Sequence, residues 1–308
     1  MAVNDRVRPQ RLFAAVGLIG VLTLAGCASP VVQEPVAPTP EDDDQASVAS
    51  MLDPCAKPNL TTVEPGALTF VTSAVPAPPF FLSDQPADRL GLEADLAYEL
   101  ARTLGFRPGE VTWEYAPAEQ IMIGDFTDYD VAIGGFAPTE DDRDALDYSQ
   151  PYLEVDLVVV SEDPQAIGVI IDGSGEVIDE ATGDVDVIRW AYTTQGPARS
   201  FLIDRGLSLE SVTNIVGADQ VVEGAEIRRQ SDAVVIDGVT AQWLTEITGD
   251  RLPVVPGVGS PTGMFSLGLV PGNPLIECVD RALNEMSERG TLDDLRERWL
   301  SPSQWRQD

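Results

Sequence analysis

Between residues 67 and 300 the chain alternates short apolar runs with longer amphipathic ones, and this rhythm constrains the fold more than any other feature. Ala67 to Thr72 reads as a strand. Gly91 to Leu104 reads as a helix, with Leu92, Leu96, Leu100 and Leu104 on one stripe and Gly105 as its stop. Val111 to Tyr115, Tyr129 to Ile133 and Leu157 to Val160 are further strands, the second ending at Gly134-Gly135, where backbone can approach a ligand closely. The second half repeats the theme: Val187 to Tyr192, "VTNIV" and "DAVVI" are strands, and Ala218 to Gln230 and Val239 to Thr248 are helices. "PVVPGVGSPTG" breaks the pattern and is expected to carry the chain back to the first region. Met264 to Val270 then reads as a strand, and Pro274 to Arg289 as a helix turning Leu275, Val279, Leu283 and Met286 inward. Thr291 is expected to cap the last helix, with Asp294 reaching back and Trp299 and Leu300 packing its end. Strands alternating with helices predict an α/β fold with mostly parallel sheets covered by helices.

The front of the chain has no such rhythm. Arg6, Arg8 and Arg11 precede an apolar segment from Leu12 to Leu24, shorter than the roughly 20 residues a membrane span needs. A basic start, an apolar middle and a small-residue end describe an export signal. Leu24-Ala25-Gly26-Cys27 resembles the lipobox of bacterial lipoproteins. That resemblance implies cleavage before Cys27 and lipidation there, giving an anchor that holds the chain at the extracytoplasmic face without spanning the membrane. An ordinary secretory signal holding a buried cysteine is the plainer alternative. Residues 27–64 then read as a tether, stiffened by Pro30, Pro35, Pro38, Pro40 and Pro54 and extended by Glu41-Asp42-Asp43-Asp44.

The net charge of −32 argues against nucleic-acid partners, whose binding is built on Lys and Arg. There is no histidine, so the commonest general base and the commonest metal ligand are absent. No metal-spaced cluster, nucleophile–base pair or phosphate loop appears, and no catalytic residue, cofactor or metal is expected. An exported chain with two further cysteines suggests a Cys55–Cys278 disulfide, with two buried thiols as the alternative.

At "GLEADLAYELARTLG", "TEDDRDALDYSQPY", "SDAVVIDG" and "NPLIECVDRALNEMSERGTLDDLRERW" the chain resembles extracellular solute-binding proteins of the polar amino-acid family that feeds ABC importers. The resemblance implies a periplasmic binding protein type II fold: two α/β lobes, joined by two crossing strands, closing on a ligand. Lobe one would be residues 65–157 plus 262–308 and lobe two residues 158–261. It also implies a monomer that hands a small polar solute, an amino acid or related amine, to an ABC permease in the membrane. A surface sensor with the same fold is the alternative, and a dehydratase using the paired carboxylates Glu93 and Asp237 is a more distant one.

The same resemblance implies a ligand set. Asp237 falls where an acid receives the ligand ammonium, Thr139 where a hydroxyl precedes the binding helix, and Gly135 where backbone faces the ligand. Phe80 aligns with an aromatic position, and Thr194, Gln195 and Gly196 offer donors at a helix start. The carboxylate-gripping arginine position is held by Asp142, with Arg143 one residue later. A helical step of about 100° separates the two. Asp142 facing the cleft implies a cation without a carboxylate, and Arg143 facing it implies a zwitterionic amino acid.

Overall fold

The computed structural model describes residues 52–73, 75–138, 144–161, 169–171, 177–179, 189–193, 197–198, 201–202, 213–215, 231–248, 262–301 and 305. All lie in the second of the chain's two compact units, 1–45 and 46–308. The strands are β1 (Leu68–Thr72), β2 (Val111–Tyr115), β3 (Val131–Ala132), β4 (Asp147–Tyr148), β5 (Leu153–Val160), β6 (Val169–Ile171), β7 (Val177–Asp179), β8 (Trp190–Thr193), β9 (Thr213–Ile215), β10 (Ala233–Asp237), β11 (Thr262–Phe265) and β12 (Gly268–Leu269). The helices used below are α1 (Leu92–Thr103), α2 (Ala118–Met122), α3 (Gly238–Thr248), α4 (Leu275–Glu288) and α5 (Thr291–Leu300).

One sheet runs β2-β1-β3-β12-β4, and β1 is parallel to both β2 and β3. A second runs β11-β5-β10-β8-β9, with β8 parallel to β9 and β10. Both are covered by helices, the α/β class expected from the alternating pattern.

Strand β1 is buried along its whole length because both faces of its sheet are covered. Leu68 and Phe70 join the larger core with Leu96, Leu100, Val279 and Leu283, while Val71 joins Ile121, Tyr129 and Phe136 on the other side. A strand buried on both faces reads as a continuous apolar run. Helix α4 buries Leu275, Cys278, Val279, Ala282, Leu283 and Met286, a three-four spacing that makes one apolar stripe. In the second sheet Val160, Ala191, Val234 and Ile236 pack against Ala241 and Leu244 of α3.

Three expectations change. Strand β5 begins at Leu153, earlier than expected. Its first half alternates buried Leu153 and Val155 with exposed Glu154 and Asp156, the pattern of a strand wet on one face. That half pairs with β11 and the second half with β10. The single strand expected over Met264 to Val270 divides into β11 and β12 on different sheets. The Ser266 N–H turns to the Phe136 carbonyl at 2.8 Å and the Leu267 N–H to Ser149 Oγ at 3.0 Å, so neither continues a ladder. Thr291 does not cap the last helix: Gly290, with φ of 75°, is the N-cap, and its carbonyl accepts the Asp294 N–H at 2.9 Å. The backbone closes that turn without a side chain. β6 and β7 pair antiparallel as a separate two-stranded sheet. The helix expected over Ala218 to Gln230 and residues 253–261 lie outside the described residues.

The Cys55–Cys278 disulfide is formed, with Cα atoms 5.2 Å apart, an ordinary spacing for the bond. Beside it the Arg281 guanidinium forks onto both Asp53 oxygens at 2.8 and 3.0 Å. Together they fasten the start of the described chain to α4.

Candidate functional site

Helix α1 begins against a loop. Its first N–H groups need acceptors that the helix itself cannot supply. Pro79 and Phe80 supply them: Leu92 N–H meets the Pro79 carbonyl at 3.2 Å and Glu93 N–H the Phe80 carbonyl at 3.0 Å. This close approach requires Gly91. Its φ is 109°, and a Cβ there would sit 2.3 Å from the Phe80 oxygen.

So pinned, Glu93 points inward and is 1% exposed. Its Oε1 accepts the Gly135 N–H at 2.7 Å and a very short bond from the Tyr152 hydroxyl. Gly135, with φ of 68°, follows β3 at the carboxyl end of the first sheet, where open α/β sheets take their ligands. Burial pushes the Glu93 carboxyl up to about 7; the Tyr152 and Gly135 bonds oppose this, and the charge of Asp237 adds to it. Tyr152 is held well above its ordinary range by burial first and by Glu93 next. Thr72, the last residue of β1, is 1% exposed, and its hydroxyl finds no partner among the described residues. It lies beside Gly134: a Cβ on that glycine would stand 3.1 Å from the Thr72 Oγ1.

Asp237 comes from the other sheet, at the end of β10 and immediately before α3. It is 7% exposed, and its Oδ1 accepts the Thr240 N–H at 2.8 Å, as a helix N-cap does. Burial raises its carboxyl, and N–H groups around the start of α3 partly offset the rise. Among the described residues no arginine or lysine acts on either Glu93 or Asp237.

Asp95, two residues beyond Glu93, contrasts with it. It too is buried, yet it accepts Arg89 at 2.6 Å, Arg298 at 2.8 Å and Trp299 Nε1 at 3.1 Å. Helix α1 therefore carries one buried acid neutralised by the chain's own cations and one that meets no cation among the described residues.

Of the sequence-derived site residues, the structure brings Gly135 to Glu93, and the charge of Asp237 is felt there. Phe80 is buried with its ring edge-on to Phe265, centroids 5.6 Å apart, and its carbonyl anchors α1. Thr139, Arg143, Thr194, Gln195 and Gly196 lie outside the described residues, as do Asp142 and Cys27. Tyr152 and Thr72 were missed. Tyr152 falls in the motif "TEDDRDALDYSQPY", before the strand expected from Leu157, and Thr72 at the end of one; neither position signals which loop its hydroxyl meets.

The family model for bacterial extracellular solute-binding proteins, family 3, matches residues 69–302. The chain belongs to this family. The arginine-binding extracellular protein ArtP of Bacillus subtilis (strain 168) is 19% identical to the chain over 213 residues, 69% of this chain and 78% of that protein. The solved solute receptor for L-cysteine of Neisseria gonorrhoeae has a TM-score of 0.60 at 20% identity, covering 79% of this chain and 94% of that one. An ancestral arginine-binding protein bound to glutamine has a TM-score of 0.58 at 22% identity, covering 76% and 97%. These likenesses establish for this solute-binding protein the two-lobed type II fold. None of its described helices is long and apolar enough to cross a membrane.

Proposed function

We propose that this solute-binding protein captures a small amino acid or related amine between its two lobes, residues 65–157 plus 262–308 and residues 158–261, and delivers it to an ABC permease. Asp237 receives the ligand ammonium. The observation that carries this reading is a buried carboxylate at a strand end, beside a helix start, with no described cation on it. A buried acid without a charge partner is costly, and an ammonium supplies the partner. The ligand shifts a hinge equilibrium towards the closed form because it meets both lobes only there. The binding proteins among the relatives, one named for arginine, support an amino acid or amine as the solute. Gly135 and, outside the described residues, Thr139, Arg143, Thr194, Gln195 and Gly196 are the further contacts in this reading, with the protein a monomer anchored by lipid on Cys27.

A thermal-shift screen of amino acids, amines and oligopeptides tests it. A binder at 100 times its dissociation constant adds about 2.7 kcal/mol of stability. The Asp237→Asn variant should lose the shift. Silence across the whole panel, or a shift unchanged in the variant, would reject the assignment. For the anchor, the membrane fraction of the wild type should carry lipid that Cys27→Ala lacks.

A further inference from the structure

We propose that Glu93 is a second acidic contact for the solute, and that a cationic group entering between Glu93 and Asp237 replaces the proton of the Glu93 carboxyl. Capture of a cation then expels a proton. This rests on the reading of the site given above and extends it to a ligand class: solutes carrying a second cationic group, as basic amino acids and diamines do. In the exchange the Glu93 O–H bond breaks, its electron pair stays on the carboxylate, and the proton passes to the buffer.

Four observations support the exchange. Glu93, in the first turn of α1, and Asp237, at the end of β10, come from different parts of the fold yet lie close enough for the charge of one to act on the other. Two buried carboxylates in that relation do not both ionise readily without a cation. Both hydrogen bonds to Glu93 come from neutral donors, Tyr152 and Gly135, and both fall on Oε1. Among the described residues the cations near α1 are committed elsewhere. Arg89 and Arg298 serve Asp95, Arg296 donates to the Tyr152 carbonyl at 2.6 Å, and Arg281 of α4 holds Asp53. Finally, the Thr72 hydroxyl is buried without a partner among the described residues, beside the loop that contacts Glu93. It is an oxygen acceptor suited to an ammonium. Buried polar groups are normally satisfied, so an orphan hydroxyl beside Gly134, the neighbour of the glycine that donates to Glu93, points to a guest.

The Glu93 midpoint of about 7 sets the pH range of the effect. Titration calorimetry in buffers of different ionisation enthalpy, with L-arginine, putrescine and L-glutamine as probes, reads the exchange directly. For arginine or putrescine, release should approach one proton at about pH 6 and fall towards none at about pH 8, with affinity about tenfold tighter at the higher pH. L-Glutamine, with a single ammonium for Asp237, should exchange no proton. Glu93→Gln should bind without proton release and without that pH dependence. Should Glu93→Gln fail to fold, Tyr152→Phe serves instead. Loss of its hydrogen bond raises the Glu93 midpoint, so the fall in affinity should move to higher pH. Basic probes that bind with no proton release, or release that persists in Glu93→Gln, would overturn the exchange while leaving capture by Asp237 intact. If no probe binds the wild type, the capture reading fails and the exchange with it.

Discussion

The Tyr152 hydroxyl donates to Glu93 Oε1, the same oxygen that accepts the Gly135 N–H at 2.7 Å. The pair is buried, and burial outweighs the two bonds, so the folded chain holds the Glu93 proton more tightly than the unfolded chain does. The stabilisation from this group is full below its ordinary midpoint of 4.5 and is lost as pH climbs through about 7. Glu93→Gln removes that loss. Relative to wild type, the variant should gain roughly 2–3 kcal/mol between about pH 5 and pH 8. Urea unfolding midpoints of both proteins across that range test this; a constant difference would refute it.

Asp237 has two tasks that substitutions separate. Asparagine caps a helix about as well as aspartate, whereas alanine costs about 1 kcal/mol. Asp237→Asn should keep the melting temperature within a degree or two of wild type while losing ligand affinity by tenfold or more. Asp237→Ala should lose both. Melting curves alongside binding isotherms distinguish them.

Gly91 allows α1 to approach the Phe80 carbonyl, against which an added Cβ would stand 2.3 Å. Gly91→Ala should cost at least about 2 kcal/mol, because the clash is with backbone and φ is 109°. Gly272 also has positive φ but nothing within 4 Å of its would-be Cβ, so Gly272→Ala should cost about 1 kcal/mol. Equal losses in denaturant unfolding would show that the contact does not matter.

The disulfide closes a loop of 223 residues. Chain entropy gives it up to about 5 kcal/mol, an upper figure. Cys55→Ser with Cys278→Ser should lower the urea midpoint by a corresponding amount, and reductant should do so in wild type but not in the double variant. Alkylation of both cysteines without reduction would rule out the bond.

Much of the fold follows from periodicity. The leucine stripe of α1, the three-four spacing of α4 and the apolar runs of β1 and β10 each reflect a local preference that burial then satisfies. Where β5 is wet on one face, the apolar-run criterion found only its second half. Where β11 and β12 adjoin in sequence, hydrophobicity could not reveal that they pair with different sheets. Asp237 was singled out through the family resemblance, and the disulfide was legible through cysteine number and the export-signal pattern.

Sequence by itself determined the α/β class, the family and the acids available, because repeat period, motif order and residue type are local properties. Only the tertiary structure decided which acid meets no cation among the described residues. Glu93 and Asp95 sit two residues apart in the same helix. Arg298, on a helix far along the chain, neutralises one, and Tyr152, 59 residues away, merely hydrogen-bonds the other. Charge balance in a buried site is set by what packs there, and no linear spacing encodes it.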